Sequence, residues 1–129
     1  HLSIRRQRQM CIETVIHVSE LDIGVNTNNA TSLIFSQDLE IAQADLYNYI
    51  VTSYMRHVPK AQRYGITIWG VLDNQSWRFR NGADFPLLYN SAGAKKRAYV
   101  AVLNALKSDY NVMPLLVYAI VGRLSGAGL

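Results

Sequence analysis

The sequence predicts an α/β protein with a parallel sheet, and two observations support this prediction. β-Branched and apolar residues form two short strand-like runs, at residues 15–18 and 66–71. Between these runs, apolar residues recur at helical spacing over roughly five turns. A strand, a helix and a second strand in this order are typical of the βαβ unit of a parallel sheet.

The first predicted strand contains Val15, Ile16 and Val18 and ends at Glu20. Its crowded β-branched residues indicate a buried strand. Residues 24–36 are rich in Asn, Thr and Ser, whose side chains compete with regular backbone hydrogen bonding. The sequence therefore predicts a long loop between the strand and the helix.

The predicted helix begins after Ser36, a residue type that caps helix N-termini, and it ends before Pro59. Asp38 and Glu40 complement the positive end of its dipole. One apolar face is predicted, comprising Leu39, Ala42, Leu46, Ile50 and Tyr54.

The second predicted strand, residues 66–71, is apolar on both faces and is expected to lie centrally in the sheet. Another long loop, residues 72–94, contains a turn at Asn81 and Gly82 and a buried-looking run at residues 85–89. A last helix is predicted near residues 95–107. Its apolar face comprises Tyr99, Val102, Leu103 and Leu106.

The composition favours one folded domain over a disordered chain, because half of the 129 residues are apolar. The net charge is +4, but the Lys and Arg residues are spread out and no nucleic-acid-reading motif accompanies them. We expect no nucleic-acid partner. The single cysteine excludes an intrachain disulfide.

Several other classes of function lack their sequence signals. No signal peptide is visible, and the apolar run at residues 112–121 is shorter than the roughly 20 residues that span a bilayer, so no membrane span is expected. The three His and one Cys do not have metal-ligand spacing, and no glycine-rich phosphate loop is present. We expect neither a metal nor a cofactor.

Glu20 follows the first strand, and ligands of parallel α/β folds bind at the carboxyl ends of strands. A carboxylate at this position can be a nucleophile toward a sugar carbon, a metal ligand or a cap for the adjacent loop. His17 shares its strand face with Ser19 rather than Glu20, which favours a structural imidazole.

Two tryptophans flank a polar turn after the second strand. Trp69 and Trp77 offer apolar ring faces beside Asp73, Asn74 and Gln75, and a sugar needs both kinds of surface. These residues could line a saccharide cleft. The alternative for Trp69 is a core residue within the strand.

Five runs of residues, in this order and spacing, carry a resemblance to a known family: VIHVSELDIGV, QADLYNYIV, YGITIWGVLDNQSW, FPLLYN and AKKRAY. Over about residues 15–107 the chain resembles the C-terminal part of family 10 glycoside hydrolases, the endo-β-1,4-xylanases. The resemblance implies an α/β fold that is the C-terminal portion, about the last two βα units, of a (β/α)8 TIM barrel. Residues 1–107 are then a partial catalytic domain, and residues 108–129 are a tail without a counterpart.

The resemblance also implies roles for individual residues. Glu20 matches the nucleophile of the family's T-E-L-D motif, with Ser19 replacing the usual Thr. Trp69 and Trp77 match the pair that walls the sugar site. His1 is similar to the histidine at the end of the family's sixth strand, which hydrogen-bonds the nucleophile. From the polar turn between the tryptophans, Asp73 and Asn74 are also expected to bind substrate.

The implied function is that of a retaining endo-1,4-β-xylanase acting on xylan or xylo-oligosaccharides, secreted or periplasmic as in the family. The family's acid/base glutamate lies in a W-x-x-x-N-E motif, and no such run occurs in this sequence. The resemblance therefore implies an incomplete enzyme that carries the nucleophile alone. The alternative is a non-catalytic xylan-binding or oligomerising fragment that needs a partner, such as the missing N-terminal half of the barrel.

Overall fold

The computed structural model describes residues 15–108. The predicted strand, helix and strand are present, and the two strands pair in parallel. The elements in chain order are β1 (Ile16–Val18), α1 (Gln37–His57), β2 (Arg63–Ile66) and α2 (Arg97–Lys107), with short 3₁₀ helices at Lys60–Gln62 and Asp73–Gln75. His1, Cys11 and the tail from residue 109 onward, with its apolar run at residues 112–121, lie outside the described residues.

Strand β1 lies where the sequence predicts it, but its predicted burial is wrong. Val15 is 50% exposed and Ile16 is 43% exposed. The reason is that β2 is the only strand that pairs with β1 within residues 15–108. Tyr54 joins both strands to α1, since its hydroxyl donates to the Ile16 carbonyl at 2.6 Å and accepts from the Gly65 amide at 3.0 Å.

Helix α1 begins and ends as predicted, but its buried face is shifted. The Ser36 hydroxyl accepts a hydrogen bond from the Leu39 amide at 3.3 Å, which confirms the N-cap, and the helix ends before Pro59. Leu46, predicted to be buried, is 45% exposed. The buried residues are Gln43, Ala44, Tyr47, Val51, Tyr54 and Met55. This face includes hydrogen-bonding side chains that a search for apolar spacing does not select.

Strand β2 spans Arg63–Ile66, so the prediction of a strand over residues 66–71 is wrong. Within the remainder of the predicted run, Gly70 has a φ of +113°, a conformation that favours glycine and is not that of a strand. Its amide donates to the Ile68 carbonyl at 3.1 Å. Ile68 and Val71 stay buried, although they belong to the loop that follows the strand.

The loop after β2 packs into the interior. The turn at Asn81 and Gly82 is confirmed, because these residues have φ values of 59° and 95°. Pro86, Leu87 and Leu88 are buried as predicted. The buried core joins the loops to both helices and comprises Leu21, Ile23, Tyr47, Val51, Tyr54, Met55, Ile66, Ile68, Leu87, Leu88, Ala98, Val102, Ala105 and Leu106.

Helices α1 and α2 pack against each other. The Glu40 carboxylate accepts a hydrogen bond from the Arg97 amide at 3.0 Å, and Asn48 donates to the Ala101 carbonyl at 3.3 Å. Residues 15–108 contain no helix that is both long and apolar enough to cross a membrane.

Candidate active site at the strand ends

Glu20 lies two residues beyond β1, in a segment that is bonded on both sides by Thr67, the residue after β2. The Thr67 amide donates to the Val18 carbonyl at 2.8 Å, and the Leu21 amide donates to the Thr67 carbonyl at 2.9 Å. These partners of Thr67 are three residues apart, one more than regular parallel pairing requires. Ser19 and Glu20 therefore lie between two fixed backbone positions.

The Glu20 side chain is exposed, and its carboxylate has no bonding partner within the described residues. No residue between 15 and 108 gives its carboxylate a hydrogen bond or an ion pair, so it does not cap the adjacent loop there. No group of three His, Cys, Asp or Glu side chains in the same range could hold a metal ion.

The loop after Glu20 is fixed by contacts to the loop that follows β2. Asp84 accepts from the Val25 amide at 2.7 Å, and Ile23 donates to the Pro86 carbonyl at 3.2 Å. Gly24 permits this approach, because a Cβ at this position would lie 2.4 Å from Asp84 Oδ2. The two loops therefore form one surface.

Both tryptophans lie on that surface. Trp69 is 57% exposed and Trp77 is 67% exposed, so the core alternative for Trp69 is wrong. Trp69 follows β2 because the strand ends at Ile66. The Arg78 and Arg80 guanidinium carbons lie 5.0 and 5.9 Å from the centroid of the Trp77 ring. Exposed indole rings of this kind can stack on the C–H faces of sugars.

Asp73 lies in the interior, which differs from its predicted place in a sugar cleft. Its side chain is fully buried. One carboxylate oxygen accepts from the Leu87 amide at 2.8 Å, and the other lies 3.1 Å from the Lys96 ammonium. A carboxylate this deeply buried is not accessible to a hydroxyl group of a ligand.

The Lys96 ammonium is the centre of this internal network. It donates to the carbonyls of Phe85 and Leu87 at 2.7 and 2.8 Å. Burial raises the pKa of Asp73 and lowers the pKa of Lys96, while the attraction between the two charges opposes both shifts. The pair therefore ties the start of α2 to the loop that carries Trp77.

Asn74 and Gln75 have different surroundings. The Gln75 side-chain oxygen accepts from the amides of Val71 and Leu72 at 3.0 and 3.1 Å, so it caps the 3₁₀ helix. Asn74 is exposed.

The His17 imidazole contacts the Thr67 hydroxyl at 2.8 Å and packs against Tyr64, which agrees with a structural role.

A small, open cleft lies beside Trp77. Asn26, Asn29, Arg78 and Arg80 are among its lining residues. Glu20, Trp69 and Asn74 do not line it. The structure thus brings Trp77 together with cationic and amide groups, while Glu20 and Trp69 lie on the open surface at the strand ends.

Sequence reasoning missed the residues that fix the two loops. Lys96 belongs to a basic run that resembles a solvated surface, and Gln43 lies on a helix face that was judged by apolarity. Gln43 is 1% exposed and its amide donates to the carbonyls of Ile23 and Phe85 at 2.7 and 2.6 Å. The one sequence feature that could have indicated a buried Lys96 is its position directly before a predicted helix and after a buried-looking loop.

Active sites of parallel α/β enzymes lie at the carboxyl ends of the strands, where this chain presents the exposed residues Glu20 and Trp69. Comparison with known families makes the class specific. The model described as Glycosyl hydrolase family 10 matches residues 3–105, and the chain belongs to this family.

Curated relatives carry xylanase names. The chain is 35% identical over 103 residues to endo-1,4-beta-xylanase A of Cellvibrio japonicus, a match that covers 70% of this chain and 17% of the relative. It is 38% identical over 97 residues to endo-1,4-beta-xylanase B of Humicola insolens, which covers 72% and 24%. The chain therefore spans less than a third of the length of these relatives.

Solved structures agree with the family. A thermostable mutant of the xylanase Xyn10A from Cellvibrio japonicus superposes with a TM-score of 0.65 at 33% identity, covering 77% of this chain and 33% of that one. A mutant xylanase A of P. fluorescens subsp. cellulosa in complex with xylopentaose gives a TM-score of 0.64 at 30% identity, covering 81% and 35%. The family and these neighbours imply a TIM barrel, of which this chain covers only a part.

Proposed function

We propose that this chain is the segment of a retaining endo-1,4-β-xylanase that contains the last two βα units of the barrel, with Glu20 as the nucleophile. The observation that carries the proposal is the placement of Glu20. Glu20 is exposed and lies just beyond the carboxyl end of β1, and its carboxylate has no partner among residues 15–108. The surrounding S-E-L-D run matches the family motif with one conservative change.

In the proposed reaction, a Glu20 oxygen attacks the anomeric carbon of xylan. The glycosidic C–O bond breaks, its electron pair goes to the leaving oxygen, and a second carboxyl about 5–5.5 Å away protonates that oxygen. Water then hydrolyses the glycosyl ester. Because residues 1–129 contain no W-x-x-x-N-E run, we infer that the second carboxyl comes from a part of the barrel that this sequence does not cover.

The indole rings supply the proposed substrate contacts. Trp69 and Trp77 stack on xylose rings, and the exposed Asn74 amide bonds to sugar hydroxyls. The resemblance adds His1 as a partner of the nucleophile. Xylopentaose bound to a solved relative supports xylo-oligosaccharides as ligands. Because the proposed substrate, xylan, is a polymer, it also supports a secreted or periplasmic location for the enzyme.

A second candidate is a non-catalytic fragment that binds xylan or oligomerises. The observation that favours it is the exposure of Val15 and Ile16 beside the outer edge of β1, which has no strand neighbour within residues 15–108. Such an edge can pair with another strand. In this candidate the tryptophans bind sugar and Glu20 performs no chemistry.

An activated substrate tests the nucleophile without the acid. A dinitrophenyl xylobioside has a leaving group that departs without protonation, so the absence of an acid does not prevent the first step. We expect the chain to release a burst of about one equivalent of dinitrophenol, and Glu20→Gln to slow the release at least 10²-fold. Asp38→Asn, which changes an exposed carboxylate on α1, is the control and keeps the burst.

Equal release by the wild type and Glu20→Gln would contradict the proposal. Binding of xylopentaose without any release from the activated substrate would favour the second candidate instead.

A further inference from the structure

Two runs of the chain match the Asn-x-Ser/Thr acceptor pattern for N-linked glycosylation. They are Asn29-Ala30-Thr31 and Asn74-Gln75-Ser76, and only Asn74 has a role in the proposed function. A three-residue pattern is common by chance, so the surroundings of each run decide whether it can accept a glycan. The side-chain amide and the hydroxyl two residues later must both be accessible to a transferase, and the bulky product must lie in solvent.

The first run lies in an exposed loop, since every residue from 27 to 32 is exposed. The Asn26 side chain closes this loop, because its Oδ1 accepts from the Ala30 amide at 3.0 Å and its Nδ2 donates to the Ala30 carbonyl at 2.8 Å. Neither the side-chain amide of Asn29 nor the Thr31 hydroxyl has a bonding partner among residues 15–108. Both groups that the pattern requires are therefore free to contact a modifying enzyme.

The second run is held by the fold. Asn74 is exposed, but it lies within the 3₁₀ helix Asp73–Gln75. Ser76 is only 8% exposed, and its hydroxyl accepts from the Arg78 amide at 3.2 Å. The hydroxyl of this run is therefore committed to an internal hydrogen bond, and the same motif has a different accessibility from that of the first run.

We propose that Asn29 is an acceptor of an N-linked glycan and that Asn74 is not. In the transfer, Asn29 Nδ2 bonds to the anomeric carbon of an oligosaccharide that is carried on a lipid pyrophosphate. The C–O bond to the pyrophosphate breaks, its electron pair stays on the pyrophosphate, and a base of the transferase takes one proton from the amide. Asn29 borders the cleft beside Trp77, so the glycan extends from the rim of the candidate site.

This proposal rests on the proposed function only through the secreted location, because the transfer takes place on the secretory route. In the test, a secretion leader supplies that route to the full chain in a eukaryotic host. A peptide N-glycosidase removes N-linked glycans and converts each occupied Asn to Asp, so peptide mapping identifies the site. The secreted and the cell-retained protein are both mapped, so a poorly secreted chain still gives a result.

We expect the wild type to lose the mass of a glycan on this treatment and to show conversion at Asn29 alone. Asn29→Gln and Thr31→Ala should lose the glycan completely, since each removes one of the two groups that the transferase needs. Asn74→Gln, the matched change in the other run, should retain it. All three substitutions are at exposed positions.

Three results would overturn the proposal: a wild type without glycan in both fractions, conversion at Asn74, or a glycan that persists in Asn29→Gln or Thr31→Ala. None of them bears on Glu20, whose chemistry is measured separately by the release of dinitrophenol. Failure of that release would in turn leave the glycan at Asn29 unaffected.

Discussion

At the scale of single residues, the buried pair Asp73 and Lys96 positions the candidate site without contacting a ligand. Neither side chain is exposed enough to meet a substrate, since they are 0% and 4% accessible. Their ion pair and the carbonyls around Lys96 hold the loop that presents Trp77. Sequence reasoning found Trp77 but placed Asp73 beside it at the surface, because adjacency in sequence does not reveal on which side of a 3₁₀ helix a carboxylate lies.

The pair predicts a pH-dependent effect of Lys96→Met. Burial already raises the pKa of Asp73, and removing Lys96 takes away the main influence that lowers it. The stability contributed by Asp73 in this variant is complete below its unfolded pKa of about 3.9 and is lost as the pH rises through the higher folded value. We expect the free energy of unfolding to fall by up to about 1.4 kcal/mol per pH unit in that window.

Urea denaturation of Lys96→Met at pH 4, 6 and 8 measures this dependence. The matched control is the double variant Lys96→Met with Asp73→Asn, which loses the same ammonium donors but has no titrating carboxylate. Its stability should lack this pH-dependent loss. Parallel pH profiles for the two variants would show that Asp73 does not titrate as described.

At the scale of elements, the order of strands and helices was predictable and their faces and ends were not. Ser36 and Pro59 delimit α1 through local chemistry, so its bounds were predicted well. The end of β2 at Ile66 was not predicted, because the apolar run continues through Ile68 and Val71, which are buried in the loop rather than in the sheet. The buried face of α1 is defined by partners that are distant in sequence, as the bonds from Gln43 to Ile23 and Phe85 show.

Gln43→Leu tests whether α1 holds the two site loops together. The substitution removes both hydrogen bonds and leaves buried carbonyls without their donor, so we expect a loss of roughly 1–3 kcal/mol in the free energy of unfolding. Gln37→Leu makes the same chemical change at an exposed position of α1 and should stay within about 0.5 kcal/mol of the wild type. Urea denaturation followed by tryptophan fluorescence measures both, and equal effects would refute the role of Gln43.

At the scale of the whole molecule, residues 15–108 form a parallel βαβ unit and a further helix. The candidate nucleophile and Trp69 lie just beyond the carboxyl ends of the strands, and Trp77 lies in the loop after the second 3₁₀ helix. Family membership was predictable because five runs keep their order and spacing, and the family model confirms it over residues 3–105. The exposure of β1 was not predictable. An apolar strand is expected to be covered, and its coverage depends on neighbours beyond the two strands seen here.

The most direct test of the account is to trap the covalent intermediate that it requires. A 2-fluoro xylobioside with a dinitrophenyl leaving group should glycosylate the full chain, because the leaving group needs no acid and the fluorine slows hydrolysis of the ester. Intact-mass spectrometry should show the addition of one fluorinated xylobiosyl group, and peptide mapping should place it on Glu20. A label on another carboxylate, or equal labelling of Glu20→Gln, would contradict the assignment of Glu20 as the nucleophile.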